Sequence, residues 1–226
     1  MLKEHQSRLG AFASIVVGVS YLVGAVIHLL SPEDGRAAAG PLRYWPAIAE
    51  RPGFVAGLDV AFIIGALFAF AALPAIGRHV GRRHKDWTQF AVLLGLLGFS
   101  AAALVDATAL GRMSTVSLAF VAGDASTRAA IAAEPVLLLD GYGVLMFLVP
   151  GLWLLIVNAV ALIEATLARG WAIVGIVAGL GFLLLPAGFV TGTEALIGMG
   201  AVLSGVLLGP AWYIGVGLAL RKDVVA

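Results

Sequence analysis

The sequence predicts an all-α fold: a polytopic membrane helix bundle with six transmembrane helices and both termini cytoplasmic, built as a single domain over residues 1–226. Composition is the first observation behind this prediction. The chain is 61% hydrophobic and only 12% charged, and its mean hydropathy of +1.03 is far above that of a water-soluble domain. The second observation is length, because the apolar residues form six runs that reach the roughly 20 residues a helix needs to cross about 30 Å of hydrocarbon.

The six predicted spans are separated by polar segments and turn residues. They cover residues 11–30, 54–76, 88–110, 135–165, 171–190 and 195–220. Tyr44 and Trp45, between the first two spans, suit the headgroup level, so we expect a short helix lying in the membrane interface there. Residues 111–134 are less apolar, and we expect them to form an outer loop with one short amphipathic helix.

Lysine and arginine residues predict the orientation. Nine of the fourteen lie in segments 1–10, 77–86, 165–170 and 221–223, which share one side of the membrane, and the remaining five lie in the longer loops of the other side. Since short cytoplasmic loops are enriched in these residues, we expect a multi-pass protein of the cell inner (plasma) membrane with both termini cytoplasmic. The cationic run at residues 78–85 is interpreted as a topology determinant, with a nucleotide- or lipid-phosphate site as the less favoured alternative.

The fourth span carries two polar side chains within a long apolar run. Asp140 and Asn158 are eighteen residues apart, which is five turns of an α-helix, so both are expected on one helical face. Glycines near that face would let a neighbouring helix approach closely. Pro150 is expected to kink the helix midway, because its missing N–H breaks the hydrogen-bond ladder.

Four ionisable residues are predicted to lie at a similar depth in the outer leaflet. His28, Asp59, Asp106 and Asp140 each lie near the outer end of one of the first four helices, the three aspartates about 6–8 Å inside at 1.5 Å per residue. A charge in the membrane centre costs about 2.5–3.5 kcal/mol on insertion scales, so such residues either pair or serve a function. We therefore predict a polar outer-leaflet cavity between helices 1–4 that binds or transports a small molecule, lipid or ion.

The predicted ligand- or ion-binding set also includes Tyr21, which shares a face with His28, and Tyr142 and Asn158 on the fourth span. If the three aspartates share one site, like-charge repulsion should keep at least one protonated near neutral pH, which suits proton coupling or cation binding.

A structural hypothesis competes with this functional one. The carboxylates could pair with loop arginines such as Arg51 or Arg112, or hold a neighbouring helix by hydrogen bonding.

Several kinds of chemistry are excluded or disfavoured. The chain has no cysteine, which excludes disulfides, thiolate metal sites and iron–sulfur clusters. No span has histidines four residues apart, so a bis-histidine haem or zinc site is disfavoured, no metal ligand is assigned and the cofactor stays unknown. Nucleophile-elbow, P-loop, H-E-x-x-H and dinucleotide motifs are missing, so no catalytic residue is assigned. A net charge of +1 does not indicate the basic surface that nucleic-acid binding needs.

Four segments carry a resemblance to a known family. They are GVSYLVGAV, RPGFVAGLDVAFIIGALFAFAAL, LDGYGVLMFLVPGLWLLIVNAVAL and GWAIVGIVAGLGFLL. In these segments the chain resembles a family of uncharacterised bacterial polytopic integral membrane proteins, of the domain-of-unknown-function class, in which a long late helix is followed by a short turn and a glycine-rich helix. The resemblance implies a bacterial multi-pass membrane protein and brings no established activity or catalytic residue.

Three functions from different classes stay open at this level. The first is the binding or transport bundle with its outer-leaflet cavity, whose ligand would be a small molecule or cation. The second is a non-catalytic accessory subunit of a larger membrane complex, for which extended small-residue faces would serve. The spacings Gly175/Gly179 and Gly205/Gly209 predict that the last two helices pack tightly on neighbouring helices. The third, least favoured, is a membrane enzyme acting on lipid. The expected partners are thus membrane lipid, a small ligand and a membrane-complex partner, with no nucleic acid.

Overall fold

The computed structural model describes residues 2–35, 40–134 and 139–223, with side chains described for residues 8–34, 40–134 and 139–222. These residues are almost entirely helical, and none of them forms a β-strand. The helices are α1 (Leu2–Leu30), α2 (Pro41–Glu50), α3 (Pro52–Val80), α4 (Lys85–Ala122), α5 (Ala125–Ala133), α6 (Val149–Glu164), α7 (Arg169–Thr191), α8 (Glu194–Ala201) and α9 (Gly209–Asp223). Two π-helical segments, Val144–Leu148 and Val202–Leu208, lead into α6 and α9 respectively.

Six segments of the described chain are long and apolar enough to cross a membrane, which confirms the predicted all-α, six-span fold. They are Arg8–Leu30, Pro52–Val80, Lys85–Ala122, Val144–Glu164, Arg169–Thr191 and Glu194–Lys222. An even number of crossings places both chain ends on one side of the bundle, which we call the terminal side. The opposite side carries α2 and α5 and is called the α2 side.

Helix α4 is longer than predicted. It continues through residues 111–122, which were expected to be loop, because buried residues recur at helical spacing beyond the predicted end, at Met113, Ser117 and Phe120. Its 38 residues correspond to about 57 Å, so one end projects beyond the hydrocarbon layer. The short helices expected on this side of the bundle are both present, as α2 and α5.

The fourth span begins later than predicted. Residues 135–138 lie outside the described residues, residues 139–143 form a turn, and helical structure starts at Val144. Gly143 adopts a left-handed conformation with φ 67°, which favours glycine and separates Asp140 from the helix. The prediction that Asp140 and Asn158 share one helical face is therefore wrong. Pro150 lies in the first turn of α6, directly after the π segment, rather than midway along the span.

Close helix contacts depend on a few small residues. Helix α1 packs most extensively on α3 and α9, and α6 packs on α7. The predicted contact at Gly175 and Gly179 is confirmed, since a Cβ atom on Gly175 would overlap the Asn158 side chain and one on Gly179 would lie 3.0 Å from the Gly151 carbonyl oxygen. The same prediction for Gly205 is wrong, because Gly205 faces open space.

Candidate functional site: a buried carboxyl pair on the α2 side

The site is centred on two aspartates from adjacent membrane-spanning helices. Asp59 of α3 is 6% exposed and Asp106 of α4 is 7% exposed. The two carboxyl groups lie within electrostatic range of each other. In each, the Oδ2 atom is buried without a hydrogen-bond partner among the described residues. Buried carboxylate oxygens are normally hydrogen-bonded, so this pair stands out as a place where a further group is needed.

Both aspartates lie on helix faces that the sequence directs inward. Asp59 is seven residues after Pro52, about 10 Å along α3, and shares its buried face with Val55 and Ala66. Asp106 follows Gly95 and Gly98 on the buried face of α4. An added Cβ atom on Gly95 would overlap Leu73 of α3 and approach Trp153 of α6, and one on Gly98 would overlap Pro150 of α6. The glycine-bearing face of α4 thus packs inward, as predicted, and Asp106 lies on that face.

Tyr21 of α1 joins the pair from a third helix. Its ring packs against Phe62 of α3 at 5.4 Å and edge-on against Phe99 of α4 at 6.4 Å between centroids. This packing places Tyr21 within electrostatic range of Asp106. Of the seven site residues predicted from the sequence, the structure therefore brings Tyr21, Asp59 and Asp106 together.

Helix α2 covers the pair. Tyr44 and Ile48, four residues apart on its buried face, form an apolar cluster with Val55 of α3 and Met113 of α4. Burial, and after it the charge of Asp59, raises the pKa of Tyr44 to about 12. The Tyr44 hydroxyl therefore keeps its proton at neutral pH and is available as a hydrogen-bond donor. The neighbouring indole Nε1 of Trp45 is also buried without a partner among the described residues.

Tyr44 is the site residue that sequence reasoning missed. The sequence marks it only as an interfacial aromatic beside Trp45. The signal that could have found it is the helical spacing of Tyr44 and Ile48, which are the buried residues of this short helix. Which helices they contact could not be predicted from that spacing.

The two arginines considered as structural partners of these aspartates make other contacts. Arg112 donates to Glu134 at 3.1 Å, between half-exposed side chains. Arg51 ends α2, and its backbone N–H donates to the Ala47 carbonyl oxygen. The ion pairs found in the described parts of the chain do not include Asp59 or Asp106. The hypothesis that these carboxylates are held by loop arginines has no support in these contacts.

Asp140 is a backbone cap rather than a third member of the pair. Its Oδ1 atom accepts a hydrogen bond from the Val144 amide at 2.8 Å, and its Oδ2 atom accepts one from the Met146 amide at 2.8 Å. Both oxygens are therefore used in starting the π segment, whose first amides would otherwise lack acceptors. The prediction that Asp140 offers a free carboxylate to the cavity is wrong.

Three further predicted residues, Asn158, Tyr142 and His28, do not belong to the carboxyl pair. Asn158 is fully buried in the bundle, where its Oδ1 accepts from Trp212 Nε1 at 2.9 Å and its Nδ2 donates to the Leu154 carbonyl at 2.8 Å. Tyr142 is 59% exposed in the turn before the π segment. His28 lies half-buried in the last turn of α1, on the α2 side. Asn158 thus joins α6 to α9, and Tyr142 faces outward.

The donor set limits what the pair can hold. In the described parts of the chain, no three His, Asp or Glu side chains meet in a way that could hold a metal ion. Two carboxyl groups with neutral hydroxyls beside them suit a shared proton or a small cation better than a multivalent metal with a full oxygen shell. No family model, curated protein or solved structure matches the chain.

Proposed function

We propose that this multi-pass membrane protein binds and transports a small cation or a proton, with Asp59 and Asp106 as the binding groups. One observation carries the proposal: two carboxyl groups from adjacent spans are buried together, and each has an oxygen atom without a partner among the described residues. Ionisable groups inside membrane spans are rare and typically mark an ion pathway or proton relay.

Electrostatics explains why the pair would take up a positive charge. Two carboxylates within electrostatic range of each other in a low-dielectric environment repel each other, so the doubly charged state is unfavourable unless a proton or cation binds beside them. Tyr44 adds a hydroxyl group that is neutral at physiological pH and so adds no further negative charge beside the carboxylates. The apolar cluster around Ile48 and Met113 shields this side of the pair from water and strengthens the interaction.

Thermal unfolding in detergent tests the proposal with defined probes. Choline chloride is replaced at constant ionic strength by sodium, potassium or ethylammonium chloride, and the melting temperature is compared between pH 5 and pH 8. A ligand that binds only the folded protein stabilises it by about 2.7 kcal/mol at a hundredfold excess over its Kd. We expect one of these cations, or the lower pH, to stabilise the wild type, and we expect Asp59→Asn and Asp106→Asn to remove the effect.

Glu134→Gln is the matched control, because Glu134 is an acid on the same side whose partner is Arg112. It should keep the full response. A cation or pH response that survives in both Asn variants would contradict the proposal, as would a wild type that responds to none of the probes. In proteoliposomes the same variants should lose any flux of the stabilising ion.

A second function is favoured by an observation elsewhere in the bundle. Gly198 of α8 and Gly205 of the following π segment both face open space, and Val202 between them is 45% exposed. An exposed face of small residues is the kind of surface on which a partner helix packs in a membrane. The protein could therefore act as an accessory subunit. A stoichiometric partner retained in mild detergent by the wild type and lost in Gly205→Leu would support this function.

A further inference from the structure

A groove with a volume of about 500 Å³ lies between α3 and α4 on the terminal side, at the opposite end of these helices from the carboxyl pair. Its walls come from the last turns of α3 and the first turns of α4. The residues that matter for its chemistry are Pro74, Arg78, Lys85, Gln89, Val92 and Leu93. The proposed cation site does not use any of them.

The groove changes from cationic to apolar along its length. Arg78 and Lys85 lie where α3 ends and α4 begins, at the rim of the bundle. Val92 and Leu93 lie seven and eight residues further along α4, about 10–12 Å deeper at 1.5 Å per residue. The charged end thus lies where two membrane-spanning segments meet the turn between them, and the apolar end lies further inside those segments. A membrane lipid has the same order of polarity along its length.

The two cations are available for a ligand. Among the described residues, no ion pair or hydrogen bond involves the side chain of Arg78 or Lys85. The nearby acid Glu164 is already occupied: its carboxylate accepts the backbone amides of residues 82–84 at 2.8–3.0 Å and contacts the His84 ring at 2.9 Å. Its side chain is only 3% exposed, and both of its oxygens already accept hydrogen bonds from these donors.

The N-terminus of α4 adds to the positive character of this end. Lys85 is the first residue of α4, so the unpaired amides and the dipole of a 38-residue helix favour an anion there. Asp86 is the acid closest in sequence, but it is exposed and does not line the groove. Gln89, one turn further along α4, offers an amide donor between the cationic and apolar parts.

We propose that this groove binds an anionic glycerophospholipid. The phosphate lies between Arg78 and Lys85, and one acyl chain follows α4 along Val92 and Leu93. A free phosphate would use only the cationic rim, whereas the apolar wall, including a Leu93 side chain that is 65% exposed, fits an acyl chain. Charge complementarity and the matching order of polarity together favour the lipid.

Native mass spectrometry of the purified protein, titrated with phosphatidylglycerol or phosphatidylcholine of identical acyl chains, tests this site. We expect phosphatidylglycerol to bind more tightly. Because each cation near an anionic lipid contributes about 1 kcal/mol, Arg78→Gln/Lys85→Gln should weaken phosphatidylglycerol binding about thirtyfold.

Arg82→Gln/Arg83→Gln is the matched control: it removes the same charge from neighbouring positions outside the groove, and should change binding less than about threefold. If the double variant does not fold, Arg78→Gln alone should give about a fivefold loss.

The apolar half of the groove separates a lipid from a free phosphate. Leu93→Asn should weaken binding of both lipids, because it removes apolar contact with the acyl chain. Glycerol phosphate in large excess should fail to displace phosphatidylglycerol. Displacement by glycerol phosphate, equal affinity for the two lipids, or an equal loss in the two arginine-containing double variants would each overturn the proposal.

Discussion

Three aspartates near the α2 side have different chemical environments. Asp140 uses both carboxylate oxygens to accept backbone amides at 2.8 Å. Asp59 and Asp106 each retain a buried oxygen without a partner among the described residues. Residue type and depth are similar for all three, so the difference lies in the backbone around them. The Asp140 carboxylate belongs to a turn, whereas Asp59 and Asp106 project from helices whose own amides are already paired.

This contrast predicts opposite effects of substitution on stability. Asp106→Asn should leave the free energy of unfolding near that of the wild type, since a neutral amide has the shape of a protonated carboxyl and breaks no ion pair. Asp140→Ala should lower it by about 1–2 kcal/mol, the usual value of a lost N-terminal cap. Both can be measured by reversible unfolding in mixed detergent micelles. A loss of about 3–5 kcal/mol in Asp106→Asn would indicate a broken buried ion pair and would contradict our description of the site.

At the scale of single elements, α5 depends on one exposed cap. Asp124 accepts the Thr127 amide at 2.8 Å and the Ser126 hydroxyl at 2.9 Å. Bonds from the Thr127 backbone, then from the side chains of Thr127 and Ser126, lower the pKa of Asp124 from 3.8 to about 2. Because the folded-state pKa is depressed, the contribution of this cap is fully present above about pH 4 and is lost as the pH falls towards 2.

NMR of the threonine-labelled protein can measure this titration. The Thr127 amide should shift with a midpoint near pH 2, and it should not titrate in Asp124→Asn, which has no acid at that position. A midpoint near 4 would show that the carboxylate does not cap α5.

Close packing of α4 on the start of α6 depends on Gly98. A Cβ atom there would overlap the Pro150 ring, whereas a Cβ atom on Gly111 of the same helix would meet no atom within 4 Å. Gly98→Ala should therefore lower the free energy of unfolding by about 1–3 kcal/mol through overpacking. Gly111→Ala, the control with the same chemical change, should be neutral or stabilising by up to about 1 kcal/mol. Equal effects of the two substitutions in unfolding measurements would argue against this helix contact.

The boundaries of the helices were harder to predict than the helices themselves. Hydropathy locates all six spans because each must cover the same apolar thickness. It missed the extension of α4 because Arg112 and Ser117 lower the local hydropathy, although helical spacing of Met113, Ser117 and Phe120 continues. It also placed Asp140 in a helix, since a face calculated from 3.6 residues per turn assumes continuous helix and takes no account of the left-handed Gly143.

At the scale of the whole molecule, the site was predictable in part. Asp59 and Asp106 could be identified because charged residues in apolar runs are unusual, and Tyr21 because it shares an inward face of α1. Tyr44 required knowledge of how α2 packs across α3 and α4, which depends on tertiary contacts. The role of Asn158 likewise depends on Trp212, fifty-four residues further along the chain.

The distribution of charge leads us to propose that the terminal side faces the cytoplasm. This side carries both chain ends, the turns after α3 and α6, and the helix ends beside those turns, which together hold nine of the fourteen lysine and arginine residues. The chain has no cysteine, so single cysteines can report the topology directly. Asp124→Cys should react with an impermeant thiol reagent on intact cells, and Arg83→Cys only after permeabilisation. The reverse pattern would invert the orientation while leaving the fold unchanged.

The central claim is that Asp59 and Asp106 together hold a proton or a cation, and infrared spectroscopy of their carboxyl groups tests it most directly. At neutral pH and without added cation, the wild type should show a protonated carboxylic acid band that is missing in Asp59→Asn/Asp106→Asn and retained in Glu134→Gln. Addition of a cation that stabilises the protein, or a rise in pH, should convert this band to carboxylate absorption. A wild-type spectrum identical to that of the double variant in this band, with no response to cation or pH, would contradict the account.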